Sequence, residues 1–163
     1  MAKRSYLAEL MDEPLPSIGK QRRLTYRTNE REVRELYEIL NYYIFNNKLK
    51  TPQIEVMPRC RQYWGICFGS YTMPNSRKSF CKIRVMDKWF CKQWLITTLA
   101  HEMCHQYQWD VEGVKRMAQG REPIMSHGPS FYIFREKLAK HGIPLKTAHS
   151  QRRWFKHQDL FKA

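Results

Sequence analysis

Nowhere in the 163-residue chain does an apolar run approach the roughly 18 residues that a membrane-crossing helix needs. The N-terminus, Met1-Ala2-Lys3-Arg4-Ser5-Tyr6, leads into acids and prolines instead of the apolar stretch of a secretory signal. The expectation is a soluble, non-secreted protein with no membrane partner, cytoplasmic, or nuclear if the source is eukaryotic. Cysteine is sparse and unpatterned. Cys60, Cys67, Cys81, Cys91 and Cys104 are odd in number and form no CxxC pair, which argues against a disulfide framework and against a zinc ribbon. Acidic residues are scarce too: 15 Asp plus Glu face 29 Lys plus Arg, a formal net charge of +14. A field of that sign draws a protein toward polyanions, so nucleic acid leads the candidate partners.

What remains is the composition of an ordered globular domain, 42% hydrophobic and 27% charged. A chain of this length buries roughly 70% of its unfolded surface, so a metal is not needed to hold it together and would require a functional explanation. Up to about Arg27 the chain reads as an arm, with prolines, a short apolar cluster at Tyr6, Leu7, Leu10 and Met11, and basic residues. From Glu30, Val33, Leu36, Tyr37, Leu40 and Ile44 recur at helical spacing to about Asn47, with Thr28 or Asn29 available as cap. Three strand-like segments follow: Gln53 to Met57, Trp64 to Thr72, and Lys82 to Met86. Asp87 is a candidate cap for a second helix running to about Trp109. A third helix follows His127-Gly128-Pro129 with Phe131, Phe134 and Leu138 on one face, and stops at Gly142. This order predicts an α+β domain with helices on one face of a small three-stranded sheet.

The second helix carries His101-Glu102-Met103-Cys104-His105. Positions i and i+4 share a helical face, so both imidazoles can reach one cation, and Glu102 flanks the position where water would bind. Catalytic zinc usually takes a third protein ligand. A metzincin would need Gly at 108 and His at 111, where this chain has Gln108 and Val111. Glu112 or Glu122 could serve in a thermolysin-like arrangement, and His127 is the other candidate.

The run Leu95-Ile96-Thr97-Thr98-Leu99-Ala100-His101-Glu102-Met103-Cys104-His105, with His127-Gly128-Pro129-Ser130-Phe131 later, resembles the SprT-like metallopeptidase domain. So does the asparagine-rich Phe45-Asn46-Asn47-Lys48-Leu49 ahead of the sheet. The resemblance covers about residues 29 to 142, leaving a basic arm at 1–28 and a basic, aromatic tail at 143–163. It implies a zincin-like minimal fold, Zn2+ as cofactor held by His101, His105 and His127, and Glu102 as general base. It also implies a protein substrate, and because the family includes Spartan, which degrades proteins crosslinked to DNA, a DNA-linked one. Only the protease core is matched: no cysteine follows Cys104, where bacterial SprT proteins carry a cysteine ribbon. Trp109 to Pro123, between the second and third histidines, is expected as a rim or lid.

Basic residues beside aromatics suit single strands, since cations meet phosphates while rings stack on bases. Arg22 and Arg23 near one end, and Arg152, Arg153 and Lys156 with Trp154 near the other, are the candidate DNA-binding residues, with single strands preferred. Lys82 and Arg84 belong to a further basic group. The competing functional class is a nucleic-acid-binding or protein-interaction module with a zinc site and no turnover.

Overall fold

The computed structural model describes residues 4–13, 24–58, 63–70, 78–122 and 127–147. The first helix, α1 (Tyr6–Met11), is capped by Ser5, whose hydroxyl accepts the Ala8 N–H. It buries Leu7, Leu10 and Met11 in the same core as α2 (Glu30–Tyr43). Of the two candidate caps for α2 it is Asn29 that accepts the Glu32 N–H, and Val33, Leu36, Tyr37 and Leu40 form the buried stripe. The helix ends earlier than its periodicity suggests. Asn46 and Asn47 turn the chain with φ of 53° and 57°, a conformation that asparagine tolerates better than most residues. Asn41 pins that turn by donating to the Leu49 carbonyl and accepting the Leu49 N–H.

The three expected strands form one mixed sheet. Gln53–Met57 (β2) runs parallel to Cys81–Met86 (β4), and Gly65–Gly69 (β3) runs antiparallel to it, in the order β2-β4-β3. Ile54, Ile83 and Val85 bury one face in the cluster that includes α2 and α3 (Lys92–Tyr107). The other face is polar: Glu55 binds Lys82 at 2.6 Å and Arg84 at 3.0 Å. Among the described residues β3 is bonded along one side only, so it is an edge strand.

Three local expectations need correction. Asp87 does not cap α3, which begins after Cys91; residues 88–89 instead form β5, pairing with β1 (Tyr26–Arg27) as Tyr26↔Trp89 and Arg27↔Lys88. Of the segment expected as a rim or lid, residues 109–118 form no detached lid, because the helical rod continues through a π-helical segment, Gln108–Gly113, into α4 (Val114–Ala118). The third helix opens as a 3-10 turn, Phe131–Phe134, before α5 (Arg135–Ala139), with Phe131 and Leu138 buried. The core also extends past residue 142, since Ile143 and Leu145 are buried after the left-handed Gly142.

Candidate metal centre

Helix α3 is buried along almost its whole length, so its two histidines are held by packing on several sides. His127 arrives from the other side of the cleft. The turn after it is closed by Phe131 N–H to Gly128 O and Tyr132 N–H to Pro129 O, which drives Phe131 completely into the core. The Phe131 ring then stands 4.7 Å from His101, 4.6 Å from His105 and 4.7 Å from His127, centroid to centroid, as a common support for three imidazoles.

Nε2 of His127 lies 3.2 Å from Nε2 of His105 and 3.3 Å from Nε2 of His101. The ligand atoms of all three fall within 4.8 Å of one another. Tetrahedral zinc with bonds near 2.05 Å separates its nitrogen ligands by about 3.3 Å, so two of the three separations already match. The donor set points the same way. A neutral imidazole nitrogen carries either a hydrogen or a lone pair, and Nε2 of His127 has only one of these to offer two ring nitrogens. A shared cation satisfies all three. The residues therefore fit zinc.

Behind His105, Nδ1 lies 2.8 Å from Oε1 of Gln108, and the Gln108 amide nitrogen donates to Ser130 Oγ at 2.8 Å. Burial holds the His105 imidazole below its ordinary value, against an opposing pull from the Gln108 contact. Glu102 is buried at 6% exposure. Desolvation pushes its carboxyl up to about 8, opposed by a hydrogen bond from the Cys67 backbone N–H on β3.

His101, Glu102, His105, His127 and Thr147 line a cleft of about 470 Å³ together with Gly65–Gly69 of β3, with Trp109 at the Gly69 end. The Trp109 ring fills the space that a Cβ on Gly69 would take. Tyr107 turns away to pack on Phe45 and Phe134, whereas the Tyr132 hydroxyl meets Thr147 Oγ1 at 2.9 Å.

The fold thus brings His101, Glu102, His105 and His127 to one place. It does not bring the alternative carboxylates there: Glu112 pairs with Lys115, and exposed Glu122 offers its carbonyl to Arg116. Arg22, Arg23, Arg152, Arg153, Trp154 and Lys156 lie outside the described residues. Sequence reasoning gave no role to Gln108 or Ser130, whereas Trp109 begins the segment expected as a rim or lid and does line the cleft. For Gln108 a signal existed, since it stands three residues after His105 on a continuing helix. Gly65 and Cys67 fall in the strand-like segment Trp64 to Thr72, whose edge the sequence offers either as a place for a substrate backbone to join or as a fully paired inner strand. It is an edge among the described residues, and the contact of these two residues with Glu102 is a tertiary one.

The SprT-like family model matches residues 33–149, most of the chain. No curated protein matches it.

Proposed function

The chain belongs to the SprT-like family, and from that premise we propose that it is a zinc-dependent endopeptidase acting on DNA-associated proteins. The observation that carries the reading is the meeting of His101, His105 and His127 over Phe131, with Glu102 facing the same cleft. The three histidines would hold Zn2+, which when bound supplies Lewis acidity, bringing a water pKa toward ~7 and polarising a peptide carbonyl.

The chain's own residues do the rest. Glu102 accepts a proton from the attacking water and delivers it to the departing amine. Its place in the cleft beside the three histidines suits that relay. A substrate segment lies extended along the side of β3 that carries no strand among the described residues, taking main-chain hydrogen bonds in the manner of an added strand from groups other than the Cys67 N–H, which Glu102 engages. Gly65–Gly69 lines the cleft, so such a segment passes directly over the histidines. DNA, single strands preferred, would be held by Arg22, Arg23, Arg152, Arg153, Trp154 and Lys156, in keeping with the net charge of +14.

Metal analysis paired with a proteolysis assay tests the reading. One zinc per chain is expected, lost in His127→Ala and kept in Glu122→Ala. Glu102→Gln should keep zinc and fold while cleavage of a casein-like or self substrate, with and without single-stranded DNA, falls roughly 10²–10⁴-fold. Zinc binding with no cleavage by the wild type would leave a binding module and defeat the peptidase.

A further inference from the structure

We propose that Gln108 is the positioning residue of this metal centre: one buried amide fixes the ring state of His105 and ties the loop that carries His127 to the helical rod. The inference rests on the zinc reading above, but not on proteolysis.

The argument starts from a hydrogen. To ligate through Nε2, His105 must leave that nitrogen bare, so its single hydrogen must sit on Nδ1. Nδ1 lies 2.8 Å from Gln108 Oε1, an atom that can only accept. The opposite amide orientation would present an N–H to Nδ1 and move the ring hydrogen to Nε2, toward His127. With the oxygen turned to His105, the amide nitrogen is left to donate to Ser130 Oγ at 2.8 Å. The flipped amide would also suit the Ser130 hydroxyl, which can turn to donate, but only with the His105 hydrogen on Nε2, so the orientation drawn here is the one that leaves Nε2 free to ligate. Gln108 is 1% exposed, so solvent does not compete for these bonds, and an amide left unpaired there would be costly.

The second bond extends the effect. Ser130 stands three residues after His127, in the turn that seats Phe131 beneath all three imidazoles. Gln108 begins the π-helical segment, immediately after the last residue of α3. A single side chain therefore bridges the element bearing His101 and His105 and the loop bearing His127. Groups that orient a metal-ligating histidine in this way typically change affinity 10–100-fold when removed.

Zinc dissociation constants, measured by competition with a chromophoric chelator on the full chain, test the role. Gln108→Leu should bind zinc 10–100-fold more weakly. Ser130→Ala should weaken it by a smaller factor. Gln108→Glu should return to within a few-fold of wild type, because a carboxylate accepts the same Nδ1 hydrogen and the Ser130 hydroxyl can turn to donate. Nitrogen-15 spectra of the imidazoles supply a second readout: the metal-free wild type should hold His105 with its hydrogen on Nδ1, and Gln108→Leu should show a mixture. Equal zinc affinity in Gln108→Leu, or a Gln108→Glu chain as weak as Gln108→Leu, would overturn the proposal. Should Gln108→Leu not fold, Ser130→Ala and the wild-type spectrum decide, and a His105 hydrogen found on Nε2 counts against it. A chain that binds zinc as expected here yet cuts nothing would defeat the peptidase and leave this role standing.

Discussion

Gly65 on β3 lies against Thr98 on α3 so closely that a Cβ there would come within 2.9 Å of Thr98 Cγ2, and within 3.3 Å of Glu102 Cγ. The missing side chain lets the edge strand press onto the helix one turn before the histidines. Two residues along, the Cys67 N–H bonds Glu102. Strand and helix thus meet at the carboxylate.

Gly65→Ala should therefore act as a wedge. The backbone there accepts an alanine, so the cost comes from contact: Thr98 is buried and the Arg84 carbonyl stands 3.5 Å away on the other side. We expect a loss of about 1–3 kcal/mol, the usual cost of overpacking. Adding Thr98→Ser, which removes the nearest methyl, should recover part of it. Urea unfolding of the single and double variants measures both, and an unchanged midpoint for Gly65→Ala would refute the close approach.

Asp110 predicts a second stability effect. It accepts from Ser79 Oγ at 2.6 Å, the Phe80 N–H at 2.9 Å and Gln106 Nε2 at 3.0 Å, while Gln106 also meets Tyr37 and the Lys50 carbonyl. One carboxylate joins the π-helical segment to the start of β4 and, through Gln106, to α2. Asp110→Ala leaves the Ser79 hydroxyl and the Phe80 N–H without this acceptor and takes one of several from Gln106, and should cost roughly 1–3 kcal/mol. A denaturation midpoint within error of wild type would show that the network carries no stability.

The parts of the fold that the sequence disclosed are those whose signal is local. Asn29 and the stripe Val33, Leu36, Tyr37, Leu40 need no partner to be read as a capped amphipathic helix, and the strand at Gln53–Met57 is bounded by Pro52 and Pro58. His101 and His105 declare themselves by spacing. The two-residue ladder Tyr26–Arg27 with Lys88–Trp89 is too short for any alternation to show, and Asp87 consequently looked like a cap. The π-helical turn was hidden because a widened turn has no composition of its own. Gly65 and Cys67 matter for what α3 does beside them, which only the packed structure supplies.

His141 should make stability depend on pH. The Ser5 hydroxyl accepts from Ala8 N–H and so can donate to His141 Nδ1, 2.8 Å away, an arrangement that suits the neutral ring. Burial first, then the Lys137 charge, holds His141 below its ordinary value, and Tyr43 is the ring facing it. As pH falls below ~6.5 the unfolded chain takes up the proton before the folded one, so stability is fully present above that point and declines below it. In metal-stripped protein, the melting-temperature advantage of wild type over His141→Gln should be largest above pH 6.5 and shrink toward pH 5. A difference that stays flat across that range would remove His141 from the account.

The proposed nucleic-acid binding gives the most discriminating prediction. Lys82 and Arg84 sit on the polar sheet face with their charges engaged by Glu55 at 2.6 and 3.0 Å, so they are poorly placed to release counterions from a phosphate backbone. Arg152, Arg153 and Lys156 are the cations proposed to do so, with Trp154 beside them in sequence. For single strands the log-log salt slope is roughly −0.7 per phosphate neutralised. Replacing those three together by alanine should flatten it by about two units if each meets a phosphate, whereas Lys82→Ala with Arg84→Ala should leave it near the wild-type value. Trp154→Ala should cost roughly 1–3 kcal/mol of affinity if the ring stacks on a base. Fluorescence anisotropy with a labelled single strand across several salt concentrations reads all of these. If the sheet-face pair flattens the slope and the C-terminal triple does not, the binding surface lies on the strands instead. If affinity is negligible even at low salt, the charge of +14 is only solvated surface and the DNA-associated substrate class falls, while the zinc chemistry of His101, Glu102, His105 and His127 stands on its own tests.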